Sequence, residues 1–406
     1  MNSKAKEKKR ILVMTAPFPF AEKGACPQDR TEGVKQLIRL GYEVRVVAMC
    51  RPRDLTLLAD AEKEIGVPIT PIVYTFKREQ RPSLMRRLVR LFNPRYWDGA
   101  AFEFSDPQTK HTFQSVVKQF RPDIVWFDYT YLWPLYPIAR QSGAKIVTRS
   151  INYEPQHFLD EDAPGFLGRI KYWSKVLSEE QVIRESDHLF SITHREEDLY
   201  RSMGATHVST LPLRALPRYI GKNSMVHDRH PLNVFFMGAN YKITHMRDAL
   251  SFILSEVIPQ IESKYPGVFC FHAVGANAPE AMINSAPPSF HYHGYVRDLE
   301  VFLSDMDIAL APSLMGAGMQ QKVWEPIVRG IPTITSPRAL AGYNIEGGTE
   351  VMLATTADEF VLSLEKMISL DTRKSLSRHA LAKAGTLFTR PQYDTMVESV
   401  LTKLLA

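Results

Sequence analysis

The chain alternates short unbroken apolar runs with longer stretches in which apolar positions return every three or four residues. Residues 10–16 form the first run, which reads as a strand ending in Pro17-Phe18-Pro19. A loop with Gly24 follows, then a helical stretch over about residues 29–40, stopped by Gly41, and a second strand over 43–49. Strand, helix, strand at this spacing is a βαβ start, which implies parallel pairing through a right-handed crossover. Residues 123–128 and 145–150 read as further buried strands. A long helix is predicted over about 166–185, a strand over 188–193, and a last strand over 207–213. After an unpatterned polar stretch the rhythm restarts, with strands at 233–238, 268–275, 290–294, 307–312, 332–337 and 350–354. Helices over about 357–370, 372–388 and 392–405 complete the pattern.

With 406 residues the chain is too long for one core, and two α/β domains are expected. The reading places a first Rossmann-like domain at 1–214, an interdomain linker at 215–231, a second such domain at 232–388 and a final helix at 389–406. Each domain should be doubly wound, with ligand loops at the carboxyl ends of its parallel strands.

Composition adds three restrictions. Cys26, Cys50 and Cys270 are widely separated, form no metal spacing and leave one over from any pairing, which points to a reducing cytosol. No apolar run approaches the ~20 residues of a membrane span, and the basic first ten residues lead into a strand instead of a secretory signal. The net charge of +6 is local, because residues 77–95 hold seven bases (Lys77, Arg78, Arg81, Arg86, Arg87, Arg90, Arg95) against one acid, Glu79. One stripe is not the spread of bases and stacking aromatics that nucleic acid demands. Within it, residues 83–92 are amphipathic: Leu84, Met85, Leu88, Val89, Leu91 and Phe92 contrast with Arg86, Arg87 and Arg90. Such a segment either lies on an anionic membrane or packs on the domain with its arginines in water.

The candidate chemistry centres on Met315-Gly316-Ala317-Gly318-Met319-Gln320-Gln321-Lys322-Val323-Trp324-Glu325-Pro326-Ile327-Val328-Arg329-Gly330. A buried strand precedes it, and a β-branched run with proline at both ends follows. Between them are a glycine turn and about three turns of helix. Two glycines at the mouth of a helix let the backbone approach a ligand, and the first N–H groups and the dipole then favour a phosphate. Lys322 adds a point charge one turn in. Glu325 shares its face and can accept hydrogen bonds from sugar hydroxyls. The alternative is a ligand-free turn with Lys322 and Glu325 as a solvated i,i+3 pair. The spacing is neither the dinucleotide fingerprint, since Gln321 stands where a third glycine is needed, nor a Walker loop.

This stretch resembles the nucleotide-sugar signature of retaining GT-B glycosyltransferases of the sucrose-synthase-like class, glycosyltransferase family 4, and most closely the branch that assembles bacterial surface polysaccharides. That signature reads Gly-x-Gly, a short gap, Lys, then Glu-Ala-Met-Ala-x-Gly and a Pro-Val-Val strand. Lys322, Glu325 and Gly330 match it, while Pro326-Ile327-Val328 replaces Ala-Met-Ala and Gly318 stands where many members have a first glutamate. Residues 290–345 carry the resemblance well and the rest of the chain loosely.

The resemblance implies a GT-B fold, with two domains facing a cleft and the C-terminal helix crossing back to the first. It assigns Lys322 and Glu325 to the catalytic site. Gly316, Gly318, Met319 and Gln320 become donor-binding, with Gly24 and Arg30 from the first loop and helix. Gly238, with Lys242 or Arg247, is assigned to the diphosphate, and Tyr295 and Val296 to the nucleobase. Arg149-Ser150-Ile151-Asn152-Tyr153-Glu154 is similar to an Arg-x-His-Asn-x-Glu pattern, with Ile151 replacing histidine. Asn152 and Glu154 then join the catalytic site as sugar or acceptor contacts, or else cap a loop. Pro212-Leu213-Arg214 departs from the usual Pro-Asn-Gly. Asp160-Glu161-Asp162 and Asp305-Met306-Asp307 read as turns, not metal motifs. His291 and His293 share a strand face, as a metal pair or as satisfied strand residues.

The implied activity is transfer of a sugar, with retention, from a nucleoside-diphosphate sugar to a hydroxyl of a glycan or lipid-linked acceptor. No metal and no cofactor is expected, nor nucleic acid. The expected location is cytoplasmic, with possible peripheral attachment to an anionic membrane through residues 77–95. The rivals are a nucleotide-sugar epimerase and a catalytically silent GT-B subunit of a glycan-assembly complex.

Overall fold

The computed structural model describes residues 8–16, 24–73, 83–97, 99–162, 166–313 and 319–406, and among these thirteen strands form two all-parallel sheets. The first holds β1 (Arg10–Thr15), β2 (Glu43–Cys50), β3 (Ile69–Val73), β4 (Ile124–Asp128), β5 (Lys145–Arg149), β6 (His188–Ser191) and β7 (Val208–Thr210), in the order β3-β2-β1-β4-β5-β6-β7. The second holds β8 (Leu232–Asn240), β9 (Phe269–Ala276), β10 (Phe290–Tyr292), β11 (Ile308–Ala311), β12 (Thr333–Thr335) and β13 (Met352–Leu353), in the order β10-β9-β8-β11-β12-β13. Both orders wind outward from the first strand, then return and wind the other way. Each sheet therefore has one switch point, between β1 and β4 and between β8 and β11, where the loops part and leave a crevice.

The apolar runs became parallel strands because both faces of each sheet are covered. Every residue of β4 is buried, and every residue of β1 after Arg10. Aromatic rings fill the first core, with Trp126 stacked on Phe190 at 5.4 Å and Phe127 against Tyr136 at 4.7 Å. β3 was not foreseen. Pro71 interrupts its short run, and a proline is tolerated there because β3 is an edge strand.

The chain divides into two compact units, residues 1–215 with 391–406, and residues 216–390. The C-terminal helix Arg390–Leu405 packs within the first unit because Tyr393, Val397 and Leu401 form one buried stripe. Tyr393 donates its hydroxyl to the Leu213 carbonyl at 3.0 Å, and Gln36 and Arg39 both reach Asp394.

Three local expectations change. Of residues 215–231, read as a linker, Ala215 belongs to the first unit and the rest are held on the second: Trp324 Nε1 donates to the Leu216 carbonyl, Ser224 N–H to the Arg329 carbonyl, and Arg373 to the His227 carbonyl. The signature helix is Gln321–Val328, eight residues and little more than two turns. The helix Leu84–Phe92 reverses the packed orientation, with Arg86 turned toward the protein and its leucines toward water. Asp305 and Asp307 form a turn, gripping Arg229 at 2.6 and 2.9 Å. Asp160-Glu161-Asp162 ends the helix Glu154–Asp162.

Candidate functional site

At the β8/β11 switch point the chain leaves β11 through Ser313. Its N–H donates to Ser336 Oγ at 3.0 Å, and that hydroxyl donates back to the Ser313 carbonyl at 3.1 Å, which fastens the ends of two neighbouring strands. Gly316 and Gly318 lie outside the described residues. The chain resumes at buried Met319 and at Gln320, which adopts extended geometry at the N-cap of Gln321–Val328. Gln320 Nε2 donates to Ser313 Oγ at 2.6 Å, and its carbonyl accepts from Tyr343 at 3.2 Å. Thus the N-cap side chain is committed backward, and no side chain caps the helix. Of the first-turn N–H groups, that of Val323 donates to the Gln320 carbonyl at 3.0 Å.

Lys322 stands in the first turn of this helix. Its Nζ lies 5.9 Å from the Phe236 ring centroid on β8, and among the described residues no carboxylate stands within ion-pair distance. Burial pushes its pKa down to about 8. A part-buried ammonium without a described counter-charge is a group that an anion would stabilise.

Glu325 is buried, but its partner is not Lys322. Its Oε1 accepts from Arg329 Nη2 at 3.2 Å, so the solvated Lys322–Glu325 pair does not form. The i,i+4 spacing, with the acid N-terminal to the base, favours this choice. Arg329 is shared with Glu300, donating to its Oε1 at 2.9 Å. Burial raises the Glu325 pKa and Arg329 opposes it. Trp324 stacks flat on Tyr343 at 5.6 Å, which fixes the helix from behind. Gly330 sits at φ +74°, where a Cβ would meet Leu381 and Ser377 at 2.8 Å.

The other second-unit candidates are spread along the sheet. Gly238 is required by packing, because a Cβ there would fall 2.7 Å from the Tyr241 ring. Lys242 is exposed, its N–H bound to Asn240 Oδ1 at 3.0 Å. Arg247 lies in the helix Thr244–Phe252, its Nε 3.8 Å from Asp248. Exposed Tyr295 and half-buried Val296 follow β10, two strands or about 10 Å from β8. His291 pairs in register with His272, and His272 Nδ1 lies 3.0 Å from His293 Nε2. Burial and the two neighbouring imidazoles push His272 down to about 4. Among the described residues no group of three or more His, Cys, Asp or Glu could hold a metal ion.

In the first unit, Gly24 at φ +98° opens the helix Ala25–Arg39. Arg30, buried on that helix, lies 5.8 Å from the Tyr129 ring centroid. Tyr129 and Tyr131 donate to the two oxygens of Glu154 at 2.7 and 2.6 Å, and Lys175 bonds the Tyr131 hydroxyl. Glu154 and Arg30 therefore converge on one aromatic pair at the β1/β4 switch point. Asn152 lies on the same loop, its carbonyl accepting from Ser150 Oγ at 2.8 Å. Behind them Glu179 accepts from Thr130 and Tyr200, and burial, then Glu154, pushes it up to about 8.

Arg149 is structural. Fully buried, it donates to Asp29 at 3.1 Å and to the Leu211 and Pro212 carbonyls. Arg214, where the family signature departs, donates to Asp29 at 2.7 Å and to Asp128 at 2.9 Å. Burial alone would raise the Asp29 carboxyl, but Arg149 and Arg214 hold it well below the usual carboxylate range. Gly33 makes room for this quartet, since a Cβ there would sit 1.9 Å from Arg214 Nη1. Sequence reading missed Asp29, Asp128 and Arg329. The signal for Asp29 was faint: an acid and a glycine one helical turn apart.

Residues 31–214 match the family described as Glycosyl transferase 4-like domain, and residues 231–369 match Glycosyl transferases group 1. No curated protein sequence matches the chain. Solved structures share its fold at low identity. HepE (Alr3699) of Anabaena, in complex with UDP and glucose, is 11% identical with a TM-score of 0.64, over 97% of this chain and 100% of that one. Sucrose-phosphate synthase of Thermosynechococcus elongatus is 11% identical with a TM-score of 0.69, over 98% and 99%. A glycosyltransferase of Rickettsia africae is 12% identical with a TM-score of 0.67, over 98% and 99%. At these identities the likeness is one of fold.

Proposed function

The chain belongs to the GT-B glycosyltransferases, as a glycosyl transferase 4-like domain followed by a glycosyl transferases group 1 domain, and from that premise we propose that it moves a sugar, with retention, from a nucleoside-diphosphate sugar to the hydroxyl of a glycan or lipid-linked acceptor. The observation that carries the reading is Lys322: an ammonium with no described carboxylate partner, in the first turn of a helix that no described side chain caps, at the β8/β11 switch point. In the transfer, the bond from the anomeric carbon to the diphosphate oxygen breaks and a bond to the acceptor oxygen forms. The acceptor proton passes to the departing diphosphate. Charge grows on that diphosphate as the bond breaks, and a preorganised ammonium with helix amides stabilises it without needing a metal. Glu325, with Oε1 held by Arg329, keeps Oε2 for ribose hydroxyls. Arg30 and Glu154, gathered on Tyr129, are the first unit's candidates for sugar and acceptor contacts. This reading places the work in polysaccharide or glycoconjugate synthesis. A uridine nucleotide is the first donor to try, because HepE has been crystallised with UDP and with UDP-glucose.

A thermal-shift screen of nucleoside diphosphates tests donor binding, since a ligand at 100 times its Kd adds about 2.7 kcal/mol. Proton NMR of the product from the matching sugar nucleotide then reads the anomeric configuration. Inversion overturns retention, release of free 2-epimer favours the epimerase, and the absence of any nucleotide shift favours a silent subunit.

A further inference from the structure

We propose that the helix Leu84–Phe92, with Trp97 and Trp173 beside it, inserts its apolar face into the interfacial layer of an anionic lipid bilayer. The proposal stands on the first unit alone and is independent of the transfer chemistry.

Ser83 caps the helix by accepting from the Arg86 N–H at 3.4 Å, and leucine, methionine and arginine propagate it. What faces the protein is basic. Arg86 donates to Asp106 at 3.0 Å and to the Phe102 carbonyl at 2.7 Å, with its guanidinium 4.5 Å from the Phe102 ring centroid. Arg90, one turn later, lies 5.1 Å from the same centroid. With that side docked, Leu84, Met85, Leu88, Val89, Leu91 and Phe92 point outward, Phe92 reaching 78% exposure and Leu84 73%. No residue of this helix is buried. A helix of a water-soluble domain buries its apolar stripe, so the reversal marks this face as a contact surface.

The surroundings choose the partner. Trp97 Nε1 donates to the Leu91 carbonyl at 3.3 Å, and its ring meets Trp173 edge-on at 6.0 Å. Trp173 is 48% exposed on the helix Phe166–Glu185, where exposed Arg169 stands one turn earlier and exposed Lys171 nearby. Exposed Arg87 lies on the first helix itself, and residues 80–97 hold no acid at all. Outward leucine and phenylalanine, indoles at the margin and a cationic rim match the headgroup boundary of an anionic leaflet. At nine residues, about 13 Å, the helix lies in that boundary and does not cross it. Because the inserted face is apolar, salt should weaken the attachment without abolishing it.

The test uses the full-length protein with phosphatidylcholine vesicles, with and without about 30% phosphatidylglycerol as an anionic surface. Co-sedimentation should require the anionic lipid, and the double substitution Leu88→Ser with Phe92→Ser should weaken it at least tenfold. Circular dichroism and melting should stay unchanged, because both side chains are exposed. Of the five tryptophans, Trp126, Trp133 and Trp324 are buried, so quenching by bilayers with brominated acyl chains reports Trp97 and Trp173. Quenching that disappears in the double variant supports insertion. Equal binding by the variant, no binding of the wild type, or a protein dimer that the same substitutions dissolve would each overturn the proposal.

Discussion

Replacing Lys322 by methionine should stabilise the folded protein while removing its donor affinity. In the folded state burial lowers the Lys322 pKa from 10.5 to about 8, whereas the unfolded chain keeps the ordinary value. At pH 7 both states are protonated, and the folded state bears the full cost of a part-buried ammonium. That cost fades only as the pH rises from about 8 through the unfolded value. A displacement of two to three units corresponds to about 3 kcal/mol, and residual solvent contact reduces it to roughly 1–3 kcal/mol. Methionine nearly matches the stem in volume and carries no charge, so Lys322→Met should recover that amount. For a unit of this size, residues 216–390, the melting temperature should rise by roughly 2–10 °C. Added UDP, or whichever nucleoside diphosphate stabilises the wild type, should then produce no further rise. With sugar nucleotide and acceptor, kcat should fall by about 10²–10³, the scale of losing one oxyanion donor. Paired melts at pH 7 and pH 10 sharpen the test, because the stability gap should narrow at the higher pH. A variant that melts below the wild type would show that the ammonium is satisfied in the folded state. A variant that keeps the nucleotide shift would move diphosphate binding elsewhere, with Lys242 and Arg247 next in line.

The same titration predicts a pH profile: kcat/KM for the donor should fall about tenfold per unit above pH 8, and Lys322→Arg should push that limb beyond the accessible range. If the two profiles superpose, Lys322 is not the group being titrated. Glu325→Gln should chiefly raise the donor KM with kcat less affected, since ribose hydroxyls change charge little during the reaction. Equal loss in kcat with KM unchanged would assign Glu325 to the transition state. Gly33→Ala should destabilise the first unit by about 1–3 kcal/mol in urea melts, because its Cβ would sit 1.9 Å from Arg214 Nη1 in a filled core. An unchanged midpoint would mean that Arg214 has room to withdraw from Asp29.

Sequence reading succeeded where one chemical requirement acts along the chain. An unbroken run such as Ile124–Asp128 has to be covered on both faces, and a parallel sheet is the structure that covers it. The strand orders seen in the structure then locate both switch points, beside which Lys322 and Glu154 lie. Contacts across long chain separations were invisible. Arg149, matched to a motif, spends its guanidinium on Asp29, 120 residues away, and on carbonyls beyond β7. Arg214 looked like a departure from a ligand loop, yet with Arg149 it balances the charges of Asp29 and Asp128 at the end of the sheet. Two arginines and two aspartates make a neutral group, and removing any one of them would leave an uncompensated buried charge.

The helix Leu84–Phe92 shows why periodicity alone cannot orient an element. An amphipathic pattern specifies two faces and their phase, but the pattern is the same whichever face meets the protein. Burial of the leucines is the default because it removes apolar area from water. Here Phe102 and Asp106 offer a guanidinium an aromatic face and a carboxylate together, and Arg86 reaches both at once. Once Arg86 and Arg90 share that ring, rotating the helix to bury Leu88 would break the Arg86–Asp106 pair. The cost of the observed orientation is a row of exposed apolar side chains. A bilayer would remove that cost, so the proposed membrane binding and the inward arginines would follow from the same arrangement. Arg86→Leu should therefore loosen the helix from the Phe102 face without weakening its lipid affinity in proportion. Increased amide exchange over residues 84–92 in solution, with vesicle binding reduced less than in Leu88→Ser with Phe92→Ser, is the outcome that arrangement requires. A larger loss of binding from Arg86→Leu would mean that the docked orientation, and not the apolar face itself, carries the affinity.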